Sequence, residues 1–495
     1  MRSMEMPDWA ADAIFYQVFP DRFARSETVA KPTNLEPWDS PPTRHGFKGG
    51  DLLGIAEHLD YLLDLGVTAL YLNPIFQSTA NHRYHTHDYY QVDPILGGNQ
   101  ALRAFLDRAH QRGMRVILDG VFNHASRGFF QFSHIAENGP ASPYVDWFYV
   151  NNFPLRPYNA RRGKQGYEAW WNLPALPKLN VSTPAVREFL WDVAAYWIEF
   201  GADGWRLDVP AEIDDDLFWQ EFRRRVRAVN PEAYLVGEIW DDARRWLQGD
   251  QFDAVMNYPV ARACLGFFVG DRLARGQVAQ SGYQQIDTLD ASEFAQEIDR
   301  VLALYPRPVT EVQLNLLGSH DTPRFKTLAR RDDSAYRLST LFQMTYPGAP
   351  CIYYGDEIGM EGKHDPDCRG GFPWDEGQWD LELRSYVQRC IALRTAYGAL
   401  RRGDFAWLLS GDGVVAYARH LGSETVLIVL NSNRRAVTLD LPVAGHLEEG
   451  SRVRDAWADK AARVVGGVLP ALTIPSRSGV VLLADTEPAP YRGIS

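Results

Sequence analysis

Arg206 and Asp208 stand two residues apart at the end of an apolar run, "DGWRLDV" (203 to 209), where a buried strand has no need of charge. Glu238 closes "AYLVGEI" (233 to 239) in the same way, His320 and Asp321 follow "VQLNLLG" (312 to 318), and Asn123 and His124 follow "RVILDGV" (115 to 121). If these runs are neighbouring strands, three carboxylates, two imidazoles and one guanidinium share one polar mouth. Glycoside hydrolysis is the chemistry that fits this set. It needs an ionised carboxylate beneath the sugar ring and a protonated carboxyl beside the leaving oxygen, with a spacing of about 5 to 5.5 Å for a retaining reaction. Arg206 would keep Asp208 ionised, while the apolar setting of "LVGEIW" would let Glu238 hold its proton. Ion pairs that merely brace strand ends are the plainer alternative for any one of these residues. Zinc hydrolysis through His124 and His320 is another, but no H-E-x-x-H spacing supports it.

Eight short apolar runs can carry these groups: residues 13 to 19, 69 to 74, 115 to 121, 203 to 209, 233 to 239, 252 to 258, 312 to 318 and 350 to 356. Helical patterns separate them, as in 187 to 200, where Phe189, Leu190, Val193, Trp197 and Ile198 recur at helical spacing. A doubly wound open sheet has the same local pattern, but the count of eight predicts an α/β fold of the (β/α)8 barrel type, with its site at the C-terminal strand ends. Residues 123 to 180, rich in Pro, Asn, Tyr and Trp and without helical period, are predicted to form a domain inserted after the third strand. After residue 403, "VVAYARH", "ETVLIVLNSN", "AVTLDLPV" and "SGVVLLAD" predict an antiparallel sandwich. The expected organisation is a barrel in two parts, 1–122 and 181–402, an insertion at 123–180 and a terminal β-domain at 403–495.

Bulk properties narrow the partners. The chain has 495 residues, 45% of them apolar, and a formal charge of −12, which disfavours nucleic acid. Neither a secretory leader nor an apolar stretch of membrane-spanning length is legible. Cys264, Cys351, Cys368 and Cys390 are scattered, without metal-ligand spacing, so a reducing cytoplasm is expected. Aromatic residues make up 13% of the chain, including 15 Trp, and flat rings either stack on sugars or fill large cores.

Taken together, the motifs resemble the α-amylase superfamily of glycoside hydrolases, in its neopullulanase, cyclomaltodextrinase and maltogenic amylase branch. "DGVFNH" (119 to 124), "DGWRLDV", "LVGEIW" (235 to 240) and "LLGSHDTPRF" (316 to 325) are similar to the four conserved regions, and "LPKLN" (176 to 180) is similar to the signature that ends domain B. The resemblance implies Asp208 as nucleophile, Glu238 as general acid and base, and Asp321 as the carboxylate that steadies the distorted sugar. It further implies that Arg206, His124 and His320 grip the glucose in the cleavage subsite. In "NHRYHTHDYYQVDP" (81 to 94), Tyr84 would stack beneath that sugar, with His82 beside it and Tyr89 as runner-up. "HDPDCR" (364 to 369) points to Asp365 and Arg369 toward the non-reducing end, and Trp240 is a platform candidate on the acceptor side.

Two departures qualify the resemblance. After the nucleophile's Val209 the chain reads Pro210, Ala211 and Glu212, where the branch commonly has a polar Asn and calcium-dependent amylases have a Lys-His pair. No cofactor is therefore expected to be required, and a structural calcium ion, which needs six to eight oxygens, is not supported by that motif. The first strand begins near residue 13, so the N-terminal β-domain usual in the branch is expected to be missing, and with it the dimer that domain builds. A monomer or weak homo-oligomer acting on an α-glucan, with no nucleic-acid or membrane partner, is the expectation. A glucanotransferase using the same intermediate is the near alternative, and a catalytically silent binding domain the distant one.

Overall fold

The computed structural model describes residues 4 to 158 and 161 to 484. The expected boundaries at 1 and 495, and residues 159 and 160 of the insertion, lie outside the described residues. All eight predicted runs are strands: β1 (Phe15–Val18), β2 (Ala69–Leu72), β3 (Arg115–Gly120), β4 (Gly204–Leu207), β5 (Tyr234–Gly237), β6 (Ala254–Val255), β7 (Leu314–Leu316) and β8 (Ala349–Tyr353). They are parallel, and the fold class is the (β/α)8 barrel that the count predicts. The chain divides into two compact units, residues 1–256 with 369–374, and residues 257–368 with 375–495.

In the first unit the strand order is β6-β5-β4-β3-β2-β1. Nearly every residue of these strands is buried, as expected of a parallel sheet covered on both faces, and this is why they read as unbroken apolar runs. The register pairs Ile117 with Gly204 and Gly204 with Tyr234, bringing the end of β4 level with the ends of its two neighbours. Gly204 is required there, since a Cβ would meet the Tyr234 carbonyl oxygen at 2.1 Å. The helices Gly98–Gln111, Pro184–Glu199 and Asp216–Val229 run between successive strands. Pro184 opens the second of them, and the Asp215 carboxylate caps the third by accepting from the Phe218 N–H at 3.0 Å.

Among the described residues of 123 to 180 there is one α-helix, Phe130–Asn138, with short 3-10 turns at Gly139–Ala141, Val145–Trp147 and Trp170–Asn172, and the rest is ordered by isolated bridges and ring packing. Phe132 sits at 4.7 Å from Tyr167 and 5.1 Å from Phe148, ring centre to ring centre. A small aromatic cluster thus replaces the periodic core that the sequence lacks there.

The second unit pairs β7 with β8 in parallel, Leu314 opposite Ala349. Its helix Ala291–Leu302 starts with a capping box between Asp290 and Glu293. The C-terminal part is antiparallel: β9 (Asp404–Gly411), β10 (Val414–Leu421), β11 (Glu424–Asn431), β12 (Val437–Pro442), β13 (Arg452–Asp455), β14 (Ala461–Arg463), β15 (Val468–Ile474) and β16 (Ser478–Ala484). The order β9-β10-β11-β16-β13-β14 forms one sheet and β12-β15 a second. Val414, Ala416 and Ala418 from β10 share a buried cluster with Leu441, Leu469 and Ile474 from the small sheet, so alternate residues of each strand face the core between the two sheets.

Candidate active site

The parallel ladder continues one residue beyond the strands. The Asp208 N–H donates to the Gly120 carbonyl at 3.0 Å and the Glu238 N–H to that of Leu207 at 2.9 Å. The two candidate carboxylates therefore close adjacent strands, both almost buried, at 8% and 9% exposure.

Arg206 is fully buried between them. Its Nη1 lies 2.8 Å from Asp119 Oδ1 and 3.2 Å from Asp208 Oδ1, and its Nη2 lies 3.0 Å from Glu238 Oε2. One guanidinium is shared by three carboxylates from three consecutive strand ends. Burial works against its charge, but Asp119, the nearby phenols and Glu238 outweigh that and hold Arg206 well above the usual guanidinium range. Asp119 is pushed up by burial and pulled down by Arg206 and by phenol donors: Tyr71 donates at 2.7 Å and Tyr84 at 2.8 Å.

The setting of Glu238 corrects the sequence reading, which held it to be apolar. Besides Arg206, Glu238 Oε2 accepts the Val209 N–H at 3.1 Å and Oε1 accepts the Trp240 indole N–H at 3.1 Å. Local sequence hid this because the guanidinium comes from the neighbouring strand. Val209 adopts φ 37 and ψ 49, a left-handed conformation disfavoured for a β-branched residue and again for one that precedes proline. Backbone strain is thus stored between Asp208 and the turn at Pro210, where it aims a donor at Glu238.

The tyrosines separate cleanly. Tyr84 is half-buried, its hydroxyl fixed by Asp119 and by the Asn73 amide at 3.0 Å, and its ring stacks on His82 at 5.8 Å. Tyr89 is 0% exposed, its hydroxyl donates to the carbonyls of Val121 and His124, and its ring packs against Phe76, Phe129 and Phe189. No face of Tyr89 is open to a sugar, which overturns its place as a stacking candidate. It is core.

His124 is buried, with the Trp170 ring stacked on it at 5.3 Å. The Asn123 side-chain amide lies 3.2 Å from His124 Nδ1, and the backbone of Tyr84 also hydrogen-bonds the ring. Burial, reinforced by the charge of His85, lowers His124 to about 3, and burial with Arg127 lowers His85 to about 4. Both values lie below the 6.5 of an unfolded histidine, so the unfolded chain takes up these protons first on acidification. The stability these neutral rings confer is complete above pH 6.5 and is lost as pH falls toward 4 and 3. Unfolding free energies from urea titrations at pH 7 and pH 5 are expected to differ by about 1 to 2 kcal/mol per histidine, and His124→Gln should make the slope shallower. Parallel pH curves for parent and variant would exclude His124 as a source.

In the second unit His320 is buried and its Nε2 lies 3.1 Å from Asp321 Oδ2. Arg324 is buried against Asp356 at 2.8 Å and against the rings of Tyr353 and Tyr354. Asp365 is exposed and belongs to this unit, whereas Arg369 belongs to the first, with its guanidinium 5.6 Å from the Phe19 ring. Sequence reasoning missed Asp119, Tyr71 and the Val209 N–H. Asp119 could have been found, since it too interrupts an apolar run, "RVILDG". Among the described residues no group of three or more His, Cys, Asp or Glu is arranged to hold a metal, and no helix is long and apolar enough to cross a membrane.

Residues 17–396 match the alpha-amylase catalytic domain and residues 405–482 the neopullulanase-like C-terminal domain. The chain belongs to the alpha-amylase family and is a glycosidase of that family. A cyclomaltodextrinase of Geobacillus thermopakistaniensis (strain MAS1) is 47% identical over 443 residues, 89% of this chain and 72% of that protein. Among solved structures, a Thermus thermophilus protein is 50% identical with a TM-score of 0.93, over 96% of this chain and 99% of that one. The debranching enzyme of Nostoc punctiforme is 49% identical with a TM-score of 0.88, over 97% and 99%.

Proposed function

We propose that the protein is a retaining hydrolase of α-1,4-glucosidic bonds that acts on maltodextrins and cyclodextrins, and on starch and pullulan where the cleft admits them. The observation that carries this is the guanidinium shared by Asp208 and Glu238. Two carboxylates held on one cation cannot lie farther apart than that cation's width and two ion-pair contacts of 3.2 and 3.0 Å, so both can reach one glycosidic bond. Asp208 attacks C1 of the glucose while Glu238 gives its proton to the leaving oxygen. The resulting glucosyl ester is opened by a water that Glu238 deprotonates. On the resemblance of its region alone, Asp321 is the carboxylate that steadies the distorted ring. Arg206, His124 and His320 bind the same glucose, Tyr84 stacks beneath it with His82 alongside, Trp240 serves the acceptor side, and Asp365 and Arg369 bind farther toward the non-reducing end.

The protein works without a metal or other cofactor in this reading, as a monomer or weak oligomer in the cytoplasm. Four buried free cysteines suit a reducing compartment. Cleavage of α-1,6 branches belongs to the proposal because a structural neighbour is named a debranching enzyme. Chromatography of products at high maltotriose tests hydrolysis: glucose and maltose are expected to dominate. Products longer than the substrate, if dominant, would make the chain a glucanotransferase.

A further inference from the structure

We infer that Trp171, with the side chain of Asn172, forms a platform for a glucose unit of the α-glucan beyond the one being cleaved. The inference rests on the proposed α-glucan activity. Residues 168 to 178 form a hairpin: Ala169 bridges Pro177, the Trp170 N–H donates to the Leu176 carbonyl at 3.0 Å, and the Lys178 N–H donates to that of Glu168 at 3.0 Å. Trp171 and Asn172 turn the chain toward its tip, the Asn172 N–H donating to the Ala169 carbonyl at 2.9 Å.

Three features of this tip ask for an occupant. Trp171 is 64% exposed, an unusual placement for the largest apolar side chain. Its φ of 50 and that of Asn172, 56, are left-handed, a conformation strained for a bulky aromatic residue, and the carbonyl of Trp171 is held in place by Arg162 Nε at 2.7 Å. The ring is not adrift. It stacks on Trp170 at 4.4 Å and 11°, and Trp170 stacks in turn on His124 at 5.3 Å and 18°.

The triple stack gives the occupant its identity. It starts at the histidine that follows β3 and ends in an open indole face, flat and uncharged, beside an exposed amide. A pyranose offers the complement, a face of C–H groups ringed by hydroxyls, and an oligosaccharide is long enough to lie along the stack. The base of the hairpin is tied to the same place: Lys178 pairs with His124 in an isolated bridge, and its ammonium donates at 3.1 Å to the carbonyl of Glu212, four residues after Asp208.

Binding of maltotriose and maltoheptaose to the Asp208→Asn protein, followed by tryptophan fluorescence, tests this. Trp171→Ala is expected to weaken maltoheptaose by about 3- to 10-fold, the range of one aromatic contact, and maltotriose by less, while Trp171→Tyr recovers most of the loss. In the active protein the same change should raise KM for maltoheptaose with little change in kcat. An equal loss for both sugars, no loss at all, or a shift in solution mass on Trp171→Ala, which would mean that a second copy covers the ring, overturns the platform. Should the unsubstituted protein cleave no α-glucan, the proposed function fails; should it cleave them and Trp171→Ala match it at every length, only the platform fails.

Discussion

Asp208→Asn is expected to lower kcat on maltodextrins by at least about four orders of magnitude, as loss of a nucleophile does, beyond the roughly 10² to 10⁴ of acid-base help. The amide fills the same space but cannot form the ester with C1. The fold should survive, because Arg206 keeps Asp119 at 2.8 Å and Glu238 at 3.0 Å when the charge on Asp208 is gone. An unchanged melting temperature would separate lost chemistry from lost structure. A companion variant, Asp208→Gly, leaves room for a small anion. Azide should then restore part of the turnover by attacking C1 from the vacated side, yielding a glucosyl azide of inverted configuration while the sugar's leaving oxygen takes the Glu238 proton. A tenth of the parent activity remaining in Asp208→Asn would remove Asp208 from the role of nucleophile.

How much of this was legible in the sequence depends on whether the cause was local. β1 to β8 were legible because strands buried on both faces must be apolar without interruption, and a charge at the end of such a run stands out. Arg206, Asp208 and Glu238 were found in that way. The environment of Glu238 was not, since it is made by a guanidinium from the adjacent strand and by a strained backbone N–H, neither of which has a sequence signature. Tyr84 and Tyr89 lie five residues apart and are chemically identical. Only the course of the ribbon from Thr86 to Val92, which turns Thr86, Tyr89 and Val92 inward, decides that one is half-open and the other sealed. The insertion at 123 to 180 was legible as an interruption but not as a structure, because ring packing and isolated bridges follow no period.

Arg206→Met is expected to have the largest effect on stability, and to abolish activity as well. The change leaves Asp119 without its cation in a site sealed from water, where Tyr71 and Tyr84 are its other side-chain donors. Removing one member of a buried pair costs about 3 to 5 kcal/mol, because the charge left behind must be neutralised or hydrated. Arg206→Lys should recover little, since an ammonium has one nitrogen where the guanidinium sets Nη1 against Asp119 and Asp208 and Nη2 against Glu238. The decisive variant is the double change Arg206→Met with Asp119→Asn. If the three-way ion cluster is what the strand ends depend on, urea midpoints should place the double variant above Arg206→Met alone, a coupling of about 1 to 3 kcal/mol. Its activity should stay as low as that of the single variant, because Asp208 and Glu238 still lack their shared cation. Additive losses in stability would show that Arg206 and Asp119 act independently, and activity returning with stability in the double variant would show that the guanidinium braces the barrel without serving the reaction.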